Sequence, residues 1–130
     1  GKYRSKLGLP ASRATSLCGS YDSSKGVLTI LWCSLPETPS AYVNGQWGPQ
    51  EDPFAGDVIN SYNDGPVEDG SIMGPFYEIE TSSPGAELVP GASLVHTQKV
   101  IHIQGEDGQL APIVQKLFGA DLNVIKTKFQ

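Results

Sequence analysis

Residues 75–82 read PFYEIETS, an alternation that puts Phe76, Glu78 and Glu80 on one face of a predicted strand and Tyr77, Ile79 and Thr81 on the other. A strand that turns two carboxylates to one side either exposes them to water or aims them into a polar site. No Lys or Arg stands near the pair in sequence to neutralise it. Neighbouring unpaired carboxylates repel, which favours keeping one proton toward neutral pH and suits general acid–base transfer. The competing reading is an ordinary solvated strand face.

Upstream, Asn44, Gln46, Trp47, Gln50, Asn60, Asn63 and Asp64 gather amides, a carboxylate and an indole in a stretch poor in cations. Sugars are read by that combination. Carboxylates and amides take the hydroxyls, and an aromatic face covers the C–H side of the ring. Taken singly, each of these residues is also a turn former, Asn63-Asp64-Gly65 above all.

Other chemistries find less support. His96 and His102 lie six apart on a predicted strand, about 20 Å by the strand rise, too far to share one metal. PGASLVH invites comparison with a cupin, but the close HxH pair is missing, and the acids show no EF-hand spacing. No GxSxG, phosphate-cradling glycine loop or Cys-His pairing stands out, so neither metal nor cofactor is expected. Cys18 and Cys33 match no zinc signature and read as small apolar core residues. They do not assign a compartment, and a periplasmic or secreted location is compatible with them.

The charge distribution narrows the partners. The net charge is −5, yet residues 26–98 hold no Lys or Arg and ten acids, while residues 1–25 hold five bases against Asp22 alone. A cation-free stretch of that length argues against nucleic acid or an anionic membrane, both of which need clustered Lys and Arg. Cations or neutral polar ligands fit it better. No apolar run is long enough to insert in a bilayer.

The elements that must carry these residues are mostly strands. With 15 Gly and 10 Pro in 130 residues, the chain reads as one turn-rich all-β domain. VLTILWCSL at 27–35 predicts a strand covered on both faces, with shorter candidates at 41–44 and 57–62 and a longer one at 93–104. Between the two short candidates runs the Gly- and Pro-rich loop NGQWGPQEDPFAG. Leu110, Ile113, Val114, Leu117 and Phe118 form a helical stripe, with Pro112 suited to a first turn and Gly119 to the residue past the end. Residues 122–129 alternate Ile125, Thr127 and Phe129 against Lys126 and Lys128, which predicts a lysine-protected edge strand. The expected architecture is an antiparallel β-sandwich with one C-terminal helix.

WGPQEDPFAGDVINSYNDGP, followed by GPFYEIETSSPGAEL, PGASLVH and the late helix, resembles the C-terminal part of a family of uncharacterised bacterial proteins. That family is a domain of unknown function placed with the galactose-mutarotase-like β-supersandwich. From KYRSKLGL onward the resemblance covers nearly the whole chain. The wider group includes aldose 1-epimerases, in which a late-strand glutamate is general base on the anomeric hydroxyl. The resemblance implies that role for Glu80, with Glu78 as modulator or competitor, while the residue types make Trp47, Asn63, Asp64 and His96 the expected sugar contacts. The acid of those enzymes is a histidine from the earlier half of the fold, which His96 and His102 do not match. The resemblance further implies that this chain is about half or less of a natural protein, whose sheet edges pair with an N-terminal segment or associate with another copy. Two function classes follow: a carbohydrate-binding module without turnover, and an aldose 1-epimerase-like or other carbohydrate-active enzyme.

Overall fold

The structure, a computed structural model, describes residues 3–38, 40–46 and 48–128. The chain divides into two units, one of Gly1–Thr15 with Ser34–Thr97 and one of Ser16–Cys33 with Gln98–Gln130. Each carries one three-stranded antiparallel sheet.

In the first unit β1 (Ser5–Pro10), β4 (Asp57–Asn63) and β5 (Tyr77–Thr81) form the sheet, with β4 in the middle. Register aligns Lys6 with Tyr62 and Tyr62 with Glu78, and one step along aligns Gly8 with Asn60 and Asn60 with Glu80. Because residues two apart share a face, Lys6, Gly8, Asn60, Tyr62, Glu78 and Glu80 all project to one side. The register shifts between Leu9 and Pro10, where a proline cannot donate to the ladder. Val58 and Ile59 of β4 are buried, as expected for a central strand.

In the second unit β2 (Leu17–Asp22), β3 (Val27–Cys33) and β6 (Gln98–Gln104) pair with β3 in the middle. β3 is buried on both faces, through Leu28 and Ile30 on one and Leu31 and Cys33 on the other. That is the burial its near-continuous apolar run predicts. Leu28 and Ile30 pack in one cluster with Leu110 and Val114 of α1 (Asp107–Phe118) and Leu122 of α2 (Leu122–Thr127). α1 begins where the Glu106 backbone N–H donates to Gln109 Oε1 at 3.0 Å. It ends at Gly119, whose φ of 63° is the left-handed cap that glycine adopts without strain.

Four expectations change. Residues 122–127 are helical, not an edge strand: Asp121 caps the turn by accepting from the Asn123 N–H at 2.8 Å, and the helix sinks Leu122 into the core. The period-2 alternation there is a coincidence of a short window, and Phe129 lies outside the described residues. Accordingly the C-terminus carries two helices instead of one, and α1 starts early enough to put Pro112 in its second turn. Residues 41–44 form no strand, only a Tyr42–Ala55 bridge. Residues 93–97 stay irregular, so β6 begins at Gln98 and His96 precedes it. The strands β1 and β2 carry no strong apolar pattern and were not visible as strands.

Candidate functional site

The site is built on the polar face of the first unit's sheet. A cleft of about 510 Å³ is lined there by Lys6, Gly8, Asp57, Asn60, Glu80 and Ser82, with residues 43–46 of the following loop as its other wall. That volume suits a small polar ligand. Each contributor has a local reason to be there. β1 supplies Lys6 and Gly8 because it pairs with β4, and β5 supplies Glu80 on the far side of Asn60.

Gly8 is part of the design. A Cβ on that residue would stand 1.8 Å from Oδ2 of Asp57, so only glycine lets the Asp57 carboxylate lie against the strand and enter the cleft. The Asn60 carboxamide bridges to the Asp57 carbonyl at 3.4 Å and the Ser82 hydroxyl at 3.5 Å, both long contacts.

The loop wall is held by its own amides. The backbone N–H of Asn44 donates to Pro53 O at 2.8 Å, and that of Gly56 to Tyr42 O at 2.8 Å, which closes the loop at its base. Within it the Gln46 N–H donates to Asn44 Oδ1 at 2.9 Å. The Gln50 amide donates to the carbonyls of Asn44 and Gln46. Gln50 thus braces the wall without lining the cleft.

The structure brings some of the expected residues together and separates others. Glu80 lines the cleft, exposed at its mouth. Glu78 shares the face but stands beside Tyr62, outside the lining. No Lys or Arg stands near the pair in sequence, yet pairing of β1 with β4 brings Lys6 onto the same face from more than seventy residues away. Arg4 follows it and lies over the Tyr62 ring at 5.7 Å. Trp47 lies outside the described residues, although its neighbour Gln46 lines the cleft.

Three expected sugar contacts lie elsewhere. The Asn63 amide is tied to the carbonyls of Tyr3 and Asp64, and its register position is on the opposite face of the sheet from Glu80. Asp64 is buried, its carboxylate accepting from the Tyr62 hydroxyl at 2.6 Å and from the Gly74 N–H at 2.9 Å. These hydrogen bonds, the tyrosine's first, hold its carboxyl below the usual carboxylate range. His96 bonds through Nε2 to Thr81 Oγ1 at 3.1 Å, on the face that Glu80 turns away from, and its Nδ1 is buried without a partner.

Lys6, Gly8, Asp57 and Ser82 line the cleft and were missed by sequence reasoning. Asp57 carried one usable signal, an acid at the start of a predicted strand right after the Gly-rich loop. Lys6 carried none, since its place depends on strand pairing.

Electrostatically the cleft is open-handed. Among the described residues the ion pairs join Lys25 to Asp22 and Lys126 to Asp107, both within the second unit. Lys6, Asp57 and Glu80 thus face the cleft without neutralising one another. Among the described residues no group of three or more His, Cys, Asp and Glu is placed to hold a metal. Among the described residues no helix is long and apolar enough to cross a membrane.

No curated protein and no solved structure matches the chain. A family model does, over residues 1–129, and its description is a family of unknown function (DUF6786). With nearly every residue covered by that match, the chain belongs to this family of unknown function.

Proposed function

We propose that the cleft between β1, β4, β5 and the 43–46 loop binds a carbohydrate, in a fold of the galactose-mutarotase-like type. The observation that carries the reading is the convergence of Asp57, Glu80, Asn60 and Lys6 on one small polar cleft with a loop of amides as its wall. Two carboxylates, several amides, a hydroxyl and one ammonium supply both acceptors and donors for vicinal hydroxyls. Glu80 on a late antiparallel strand, just before Ser82-Ser83-Pro84-Gly85, supports the grouping.

Binding without turnover is the first reading. Turnover of the aldose-epimerase kind is the second, favoured by the presence of another carboxylate, Asp57, beside Glu80 in the same cleft. Glu80 would then be the base on the anomeric hydroxyl, and Asp57 or Lys6 would have to supply the acid, because His96 is on the far face.

Titration of a panel of aldoses, followed by amide NMR shifts on wild type and Glu80→Gln, tests the first reading. Shifts confined to residues 6–8, 43–46, 57–60 and 80–82, weakened in the variant, are expected. A panel that leaves those signals unmoved overturns it. Anomer interconversion followed by NMR on the same samples decides the second: a rate equal to buffer sinks it.

A further inference from the structure

Beyond a sugar as such, the charge lining the cleft names a kind of sugar. We infer that the site selects a hexosamine, a sugar bearing a protonated amine, with the Asp57 carboxylate as the seat of the ammonium; this rests on the carbohydrate-binding reading above.

The lining carries two carboxylates and one ammonium, and among the described residues none of the three is spent in an ion pair. A neutral hexose would leave the surplus negative charge unanswered. A uronate would add a third carboxylate to a lining that already carries two. A protonated amine balances the lining and gives Asp57 or Glu80 a charge-assisted hydrogen bond, roughly twice as strong as a neutral one.

Asp57 is the better seat of the two. Glu80 is exposed at the mouth, where water competes and salt screens. The Asp57 carboxylate instead lies against the β1 backbone, in space that the missing side chain of Gly8 leaves open. Lys6 is placed for a different task. Its ammonium reaches toward the loop wall, 3.7 Å from where a Cβ on Gly45 would stand, so it can donate to a ring or hydroxyl oxygen at the end of the sugar nearest that loop. A bare divalent cation would use the carboxylates, but among the described residues no group of three or more His, Cys, Asp and Glu is placed to hold one.

Calorimetric titration with glucosamine, glucose, N-acetylglucosamine and glucuronate, at a pH where the free amine is protonated, tests the inference. Glucosamine should bind about tenfold tighter than glucose, the worth of one charge-assisted bond. N-acetylglucosamine, whose amide is neutral, should show no such gain, and glucuronate should be weakest. The glucosamine preference should shrink toward parity in the isosteric Asp57→Asn variant and as salt is raised. Gly8→Ala, which must push the Asp57 carboxylate aside, should reproduce that loss; its thermal melt reports whether it folds, and Asp57→Asn carries the test if it does not. Equal affinity for glucosamine and glucose, or a preference that survives Asp57→Asn, overturns the amine inference while leaving sugar binding in place. If none of the four sugars binds, the carbohydrate reading and this inference fall together.

Discussion

The phenol of Tyr62 donates to the carboxylate of Asp64 at 2.6 Å, two residues along the same chain segment, and Asp64 is only 2% exposed. The other carboxylate oxygen accepts from the N–H of Gly74, and the Asp64 N–H itself donates to Phe76 O at 3.0 Å. One acidic side chain thereby ties β4 to the return of the loop that leads into β5. The Tyr62 and Phe76 rings, with centroids 6.0 Å apart, pack beside it.

Removing either partner should therefore loosen that loop. Tyr62→Phe leaves a buried carboxylate oxygen short of a donor, and Asp64→Leu leaves the Tyr62 hydroxyl and Gly74 N–H without their acceptor. Both variants should melt below wild type, Asp64→Leu the lower of the two because two donors lose their partner. Hydrogen exchange should speed up across 65–76 in each. Unchanged exchange there would show that the loop is held by something else.

Acid should destabilise the chain by a route that names its residues. Asp64 and Asp107 both hold their carboxyls below the usual range, Asp64 through Tyr62 and Gly74, Asp107 through Lys126 and Tyr21. A carboxyl whose folded pKa is depressed contributes stability above its unfolded value, about 4, and loses it as pH falls through the folded value. Urea midpoints should stay level from neutrality down to about pH 5 and then decline. In Asp64→Asn or Asp107→Asn the decline should be shallower.

The alkaline side has its own reporter. The Tyr21 hydroxyl bonds to Asp107, which with partial burial pushes its pKa up to about 12. Stability from this group is present below the unfolded tyrosine value, about 10, and is lost as pH rises toward the folded one. An ultraviolet titration should show Tyr21 and Tyr62 titrating late, Tyr62 through its bond to Asp64, and Asp107→Asn should bring only the Tyr21 share earlier. Cys18 behaves in parallel: burial, with Cys33 nearby, raises its thiol to about 11. A disulfide reagent at neutral pH should label it slowly in the folded chain and rapidly in urea.

The second unit's core can be probed at Leu110, which is 1% exposed and packs with Leu28, Ile30, Val114 and Leu122. Leu110→Ala should cost about 2–5 kcal/mol, read as a shift in urea midpoint. Gly119→Ala should cost about 1–2 kcal/mol, because its φ of 63° strains any residue with a Cβ. A loss at Leu110 no larger than at Gly119 would contradict the core as described.

The locally encoded parts of the fold were legible beforehand. β3 showed itself through an uninterrupted run of β-branched, aromatic and aliphatic residues, and α1 through its 3.6-residue stripe and Gly119. Residues 122–127 misled because six residues sample both periods poorly, and the Asp121 cap outweighed an alternation of three side chains. β1 was invisible because Ser5–Pro10 buries little: most of its side chains are exposed, so no burial pattern marks the sequence.

By itself the sequence determined a mostly antiparallel β chain with a helical C-terminal region, a long acidic stretch without cations, and Glu78 and Glu80 on one strand face. Those features depend on neighbours in the chain, and the chain order specifies them. Which groups meet Glu80 was decided only by tertiary structure. Strand pairing brought Lys6 and Gly8 to it, the missing Cβ of Gly8 let Asp57 into the same cleft, the pleat sent Asn63 to the other face, and the bond to Thr81 holds His96 there. Register across a sheet joins residues far apart in sequence, and a step of one residue exchanges the two faces; no local pattern carries that information.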